Sequence, residues 1–462
     1  MLVEVLKLPF WFMMVVFICG WPTSLLAQPY IELGPADIIA LDQPRVTVEV
    51  YIPSPEHSFG PDIANSWLLD TAAQGLLSAG FATAEMKSAG YTTVAVFEEL
   101  GIGGSVFYDI SEVYNFDFAG SSGVRNTLSD ARVLSSDTAN FGSFGGIVGM
   151  PAMTGRVTSI DMTPMAGLDY ISVAFPSSLP ASSGHRYGAP LQLVDYPVTA
   201  GQQNPSDPLP TYAPLPFVNV EMQHAGNSSA GPFVIDTGAQ ISLLSTLWAF
   251  DLGLDADDDG NFDNEAVTWL ELGGAGGSYL APVLEVEKLL LPTDEGVDLI
   301  WTNVTVAIAD IDPSIVGIFG CDLLTSAYLD NLFVGNGYIE QVHFDFTDSD
   351  NLNGVMYLDL NPDYDNVIPG PEMLPGDANG DGVVSADDYG SVQVNFGNTG
   401  APGIPGDATG DGMVSADDYG SVQVHFGDTG EMGSVPVPEP ATMVLLTLGA
   451  LGLLTGKRKS CG

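Results

Sequence analysis

Between residues 28 and 348 apolar residues alternate with polar ones or run together briefly, and Gly, Pro and Asn break the runs. By this pattern Val46–Tyr51, Thr92–Phe97, Leu191–Val194, Phe217–Met222, Val283–Leu291, Val304–Ile308 and Tyr338–Phe344 read as strands. Long stretches with a helical period are absent, so the pattern predicts an all-β body. Residues 349–373 are rich in Asn, Asp, Pro and Gly without period and read as a linker. Beyond them the chain repeats itself, and at each end lies a separate apolar run.

The body carries an internal duplication. One half has Trp67-Leu68-Leu69-Asp70-Thr71-Ala72, then Leu100-Gly101-Ile102-Gly103-Gly104, then Gly146-Ile147-Val148-Gly149. The other has Phe233-Val234-Ile235-Asp236-Thr237-Gly238, then Leu272-Gly273-Gly274-Ala275-Gly276-Gly277, then Gly317-Ile318-Phe319-Gly320. The offsets are 166 between the aspartates, 172 between the leucines and 171 between the last glycines. Three signals in one order at nearly one offset place a boundary between halves, 28–206 and 207–348.

Apolar residues leading into Asp-Thr-Gly-Ala, a Gly-rich turn and an apolar-apolar-Gly end resemble the retropepsin and pepsin aspartic peptidases. The resemblance covers the second half throughout and the first half more loosely. It implies a two-lobed body with Asp70 and Asp236 as a catalytic dyad and a polypeptide as substrate. It further implies that Thr71 and Thr237 exchange hydrogen bonds beneath the pair and that Gly238 lets the backbone approach. Gly103, Gly104, Gly274 and Gly276 would belong to flaps that close over the substrate. Two carboxylates about 3 Å apart cannot both ionise, so such a pair shares one proton. One carboxylate then activates a water while its partner supplies a proton. The first motif departs from the family at Ala72, where glycine is usual, and Gln74 and Gln240 stand where Ser, Thr or Asp is more common. If that position needs positive φ, Ala72 is costly there.

The repeat has a period of 30 residues. Gly376-Asp377-Ala378-Asn379-Gly380-Asp381-Gly382 recurs as Gly406-Asp407-Ala408-Thr409-Gly410-Asp411-Gly412, and after one further residue each copy continues Val-Ser-Ala-Asp-Asp-Tyr-Gly. Oxygen ligands at loop positions 1, 3, 5, 9 and 12 with a turn glycine at 6 are what a Ca2+ loop needs. They are Asp377, Asn379, Asp381, Ser385 and Asp388 in one copy, and Asp407, Thr409, Asp411, Ser415 and Asp418 in the other. Thr409 should weaken the second site. A duplicated loop of this kind with one short helix after each resembles a type I dockerin over 374–428, which implies a small α-helical domain and a cohesin-domain partner. Within the body, Asp255, Asp257, Asp259 and Asp263 copy the start of such a loop, but position 12 is Ala266 with Glu265 adjacent. There a solvated acidic turn and a Ca2+ site both remain open.

The ends are targeting segments. Residues 1–27 carry Lys7, an apolar run from Leu8 to Gly20 and a small-residue end at Ala27, as a secretory signal does. Residues 435–459 carry Pro438-Glu439-Pro440, an apolar run from Ala441 to Thr455 and Lys457-Arg458-Lys459, which resembles the PEP-CTERM sorting signal of Gram-negative bacteria. This implies an exosortase-type processing enzyme, transient membrane contact through the segment, and delivery to the cell surface or extracellular matrix.

Composition agrees with export. The 462 residues hold 11 Lys plus Arg against 58 Asp plus Glu, a formal net charge of −47, and only seven of those bases lie between residues 28 and 434. Nucleic acid and anionic membrane surfaces are thereby poor partners, whereas Ca2+ is a natural one. Of three cysteines only Cys321 lies in the body, so no disulfide staples it. The five histidines lack metal-ligand spacing, and no nucleophile elbow, P-loop or dinucleotide fingerprint occurs. Two functions fit: a surface-sorted aspartic endopeptidase needing no catalytic cofactor, or a peptidase-like surface protein that only binds protein or polysaccharide.

Overall fold

The computed structural model describes residues 28–429 apart from 54–55, 58–64, 102–103, 183, 275–276, 311–314, 329–336, 369–373, 381 and 400–403. The expected N-terminal signal, the C-terminal segment, Gly103, Gly276 and Asp381 therefore lie outside the described residues. The chain divides into a large unit, Pro29–Ile368, and a second unit that contains the repeat.

Strands dominate the large unit, and each half repeats one local topology. In the second half, Asn227–Asp236 runs parallel to Gly317–Gly320, with Val234 beside Ile318 and Asp236 beside Gly320. The chain turns after Asp236 and returns as Leu243–Leu244, antiparallel to the same short strand. In the first half, Ser66–Leu69 runs parallel to Gly146–Val148, and Leu76–Ser78 returns antiparallel to it. Each half thus delivers an Asp-Thr dipeptide into a turn enclosed by its own strands. The apolar residues before each aspartate fix this: Trp67, Leu69, Phe233 and Ile235 are all wholly buried. Each half also has a glycine-ended hairpin, Thr93–Gly101 with Gly104–Ser111 and Thr268–Gly274 with Gly277–Leu291.

All seven segments read as strands from their pattern are strands or lie largely within them. The expected linker is corrected along its first part. Asn353–Leu360 is a strand between Arg186–Val194 and Ile339–Asp345, with Met356, Leu358 and Leu360 buried. Its alternating apolar residues outweigh the Asn and Asp around them, because the burial they gain exceeds the local turn preference. Strands from both halves of the sequence are interleaved in this sheet, so the halves share a core.

The second unit contains two helices, Ala386–Asn395 and Ala416–His425. Gly390 and Gly420 make them indifferent helix formers, but each begins with a capping box, Ser385 with Asp388 and Ser415 with Asp418. Val384, Val392, Val414 and Val422 pack between the copies with Ala378 and Ala408. The loops exchange bonds reciprocally: Gly376 N donates to Ala408 O at 2.9 Å, and Gly406 N to Ala378 O at 2.8 Å.

Candidate active site

The turns after Leu69 and Ile235 meet in the large unit, and the two threonines lock them together. Thr71 N donates to Thr237 Oγ1 at 3.2 Å and Thr237 N to Thr71 Oγ1 at 3.1 Å. Each hydroxyl donates onward across the pair, Thr71 Oγ1 to Ile235 O and Thr237 Oγ1 to Leu69 O, both at 2.7 Å. Both side chains are wholly buried. Four bonds in a dry setting make this a stiff base for whatever stands above it.

Above it stand Asp70 and Asp236, half-buried, with their carboxyls facing the same spot beside Gly238: a Cβ there would lie 2.7 Å from Asp70 Oδ2 and 3.2 Å from Asp236 Oδ1. Asp236 Oδ1 accepts from Gly238 N and Ala239 N, both at 2.8 Å. Asp70 Oδ1 accepts from Ala72 N at 2.7 Å. Burial raises both carboxyls above the ordinary carboxylate range. Asp236 lies well above it, because the Asp70 charge adds to the burial. The Ala72 N–H and the neighbouring Asp236 carboxyl pull Asp70 partly back. The pair therefore keeps one proton to higher pH than an isolated carboxyl would, and titrates as a unit.

Gly238 is required by space rather than by φ. Neither it nor Ala72 has positive φ, so Ala72 carries no penalty of that kind. A Cβ on Gly238 would lie 2.7 Å from both Cγ and Oδ2 of Asp70, closer than such atoms approach. Ala72 puts a methyl at the matching place in the other half, so the two sides of the dyad are unequal.

Gly104 and Gly274 sit at the ends of the two hairpins, paired with Gly101 and Gly277. Other residues have no signal in the motif. Gln43 Nε2 donates to the carbonyl of Gly238. Asp322 is wholly buried two residues beyond Gly320; its Oδ1 accepts from Ser242 Oγ at 2.9 Å, and Oδ2 has no partner among the described residues. Burial pushes this carboxyl up to about 7. The Pro-x-Val-x-Val-Glu pattern of Pro44–Glu49 recurs at Pro216–Glu221, an offset of 172, and marks the stretch containing Gln43 as part of the duplication.

In the repeat unit the loop acids are gathered around backbone N–H groups. Asp377 Oδ1 and Oδ2 accept from Gly380 N and Gly382 N, both at 2.8 Å, and Asp407 does the same for Gly410 and Gly412 at 2.8 and 2.9 Å. Gly382 and Gly412 have φ of 80° and 79°, the turn that only glycine takes easily. Asp388, Asp407 and Asp418 are buried, and residues 374–429 contain no Lys or Arg to neutralise them. Buried carboxylates in a stretch that lacks both bases fit a divalent cation, and Asn379, Ser385, Thr409, Asp411 and Ser415 stand at the remaining ligand positions. Thr409 Oγ1 is turned to Asp418 Oδ1 at 3.0 Å. In the large unit, Asp255, Asp257 and Asp259 bring carboxylate oxygens within 4.8 Å of one another, and Asp263 is not part of that group. Glu265 Oε1 accepts from Ala256 N at 3.1 Å, which ties the adjacent acid into the same turn.

Residues 436–459 match the PEP-CTERM protein-sorting motif. This motif indicates an exported protein, sorted to the surface of a Gram-negative-type bacterium and processed by an exosortase-type enzyme. No curated protein matches the chain. Among solved structures, the crystal structure of an aspartic proteinase from Irpex lacteus is similar over 69% of this chain and 97% of that chain, at a TM-score of 0.38 and 10% identity.

Proposed function

We propose that the large unit is an aspartic endopeptidase acting outside the cytoplasm through Asp70 and Asp236. The observation that carries this reading is the meeting of two carboxyls beside Gly238, delivered by matching turns and braced by the reciprocal threonine bonds. In mildly acid solution Asp236 holds the shared proton and Asp70 is the anion. Asp70 takes a proton from a water as that water attacks the peptide carbonyl carbon. Asp236 gives its proton to the carbonyl oxygen, which leaves a tetrahedral diol. Asp70 then returns its proton to the nitrogen as the C–N bond breaks, and Asp236 recovers its own. The two glycine-ended hairpins would cover the substrate and exclude bulk water.

The test is cleavage of a denatured protein by the full chain from pH 3 to pH 7. Asp70→Asn and Asp236→Asn should each abolish it, and a variant that keeps full activity would remove the dyad assignment. A binding-only role is favoured by one observation, the Ala72 methyl where the other half needs a bare Cα. A folded wild type that cleaves nothing at any pH would support that role instead.

The repeat unit, in the same reading, is a dockerin-like module. Asp377, Asn379, Asp381, Ser385 and Asp388 would hold one Ca2+, and Asp407, Thr409, Asp411, Ser415 and Asp418 another. Bound Ca2+ would supply positive charge to the buried acids, and a cohesin-domain protein would be the partner. Asp255, Asp257 and Asp259 would form a third, more exposed cation site. Calorimetric titration of the full chain with Ca2+ tests all three, with one strong site and a weaker second one at the Thr409 loop expected in the repeat, and heat absent if the loops are only turns.

A further inference from the structure

The dyad's two turns are not braced alike, and the difference lies outside both motifs. Three carbonyls follow Asp236 in the turn. Gly238 O accepts from the Gln43 side chain, Ala239 O from Cys321 N at 2.9 Å, and Gln240 O from Ala40 N at 2.6 Å. In the first half, Ala73 O accepts from Met150 N and Gln74 O from Ala213 N, both at 2.9 Å, which matches the last two of these bonds. Among the described residues the first has no side-chain counterpart. The offset of 172 that relates Pro44 to Pro216 brings Gln43 onto Leu215, and leucine has no donor.

Gln43 is itself held in place. Pro44, next along the chain, fixes its own φ and accepts from Leu69 N at 2.9 Å, one residue before Asp70. Arg45 pairs in register with Leu68 on the strand that carries Asp70. Asp42 is bonded to Arg45 and accepts from Ile171 N at 2.9 Å. The six residues Ala40–Arg45 therefore touch the chain before one aspartate and the chain after the other. Gly238 is the place where such a clamp matters, because a glycine peptide is the most free to rotate and a Cβ on this one would already lie 2.7 Å from the Asp70 carboxyl.

We propose that Gln43 is a positioning residue for the dyad: by donating to Gly238 O it holds that bare Cα against Asp70 and so sets the meeting of the two carboxyls. The inference rests on the peptidase reading for its role in catalysis, though the contact it describes does not. Gln43→Leu keeps the bulk and removes the donor. It should lower kcat by about 10- to 100-fold, the usual cost of a small misplacement, with KM changed by no more than about twofold. Gln43→Glu gives a sharper signature. The carboxyl of that variant can donate to Gly238 O when protonated and cannot when ionised, so its activity relative to wild type should rise as pH falls through about 4.3.

The experiment measures kcat, KM and pH profile for the full chain and both variants, with urea midpoints to establish folding. If wild type cleaves and Gln43→Leu keeps its kcat and pH profile, the positioning role is overturned while the peptidase reading stands. If Gln43→Leu does not fold, Gln43→Glu decides, since a ratio to wild type that is flat with pH overturns the role. If wild type does not cleave, the peptidase reading fails, and the carboxyl titration of Asp70 and Asp236 followed by 13C NMR becomes the readout. Midpoints moved by Gln43→Leu support the clamp, and unmoved midpoints overturn it.

Discussion

Asp322→Asn is a test of how the large unit handles buried charge. Asp322 is wholly buried, one of its oxygens has a single side-chain donor, and the other has none among the described residues. Its carboxyl is raised from 3.8 to about 7 by burial. A raised carboxyl binds its proton more tightly in the folded chain, so its stabilising effect is complete below about pH 4 and is lost as pH climbs to 7. Each pKa unit is worth about 1.4 kcal/mol, so the loss approaches ~4 kcal/mol across that window. Asparagine has nearly the same shape and no charge to bury. At pH 4, where both side chains are neutral and each leaves a donor orphaned, the two proteins should agree within ~1 kcal/mol. At pH 8 the variant should be the more stable by roughly 3 kcal/mol. Urea unfolding followed by tryptophan emission reads this unit alone once residues 1–27, with Trp11 and Trp21, are deleted, because Trp67, Trp248, Trp269 and Trp301 lie in it and residues 374–429 contain no tryptophan. Asp298 and Glu99, also raised to about 7 by burial, give the same slope to both proteins and cancel in the difference. A gap between variant and wild type that does not change from pH 4 to pH 8 would refute the reasoning.

Other outcomes follow from the same geometry. Thr237→Val strips Leu69 O of its donor and Thr71 N of its acceptor in a dry place, which should cost about 2–4 kcal/mol by urea midpoint; a loss below about 1 kcal/mol would mean that water reaches the base of the dyad. Ala72→Gly makes the two turns alike at this position and should raise the cleavage rate, at a cost of about 0.5–1 kcal/mol in stability; an unchanged rate means the methyl does not hinder the pair. Cleavage should be confined to acid and near-neutral solution, since a pair whose members are both raised loses its shared proton as pH climbs; activity that increases steadily to pH 9 contradicts the assignment. Chelation should melt the two capped helices and open 374–429 to protease while tryptophan emission from the large unit stays native; equal protection with and without chelator would show that the loops need no cation.

What is legible in the sequence is whatever repeats or alternates. The two Asp-Thr motifs, the glycine-ended hairpins and the apolar-apolar-Gly strands announce themselves because each half carries all three in order. The strand Asn353–Leu360 escapes notice for a compositional reason: Asn and Asp crowd around it, and its alternation is short. Gln43 is invisible because a polar residue just before a strand looks like any other turn, and its partner is a carbonyl 195 positions away. Asp322 looks like one acid among 58, and only the packing of Ser242 and Gly320 around it sets it apart. The meaning of Gly238 is half legible: the motif demands glycine, but that the demand comes from the Asp70 carboxyl rather than from φ is a property of two turns meeting.

The interleaved sheet also dictates an order of assembly. Arg186 pairs with Asp359 and Tyr187 with Leu358, so a strand from the middle of the body is completed only by one of the last to leave the ribosome. The larger sheet cannot be completed until residue 360 is available, whereas the other sheet is built wholly from residues 45–148. The same long-range pairing makes the later folding step slow, on the scale of milliseconds to seconds expected where contacts are distant in sequence. Late closure of the larger sheet is thus written into one strand.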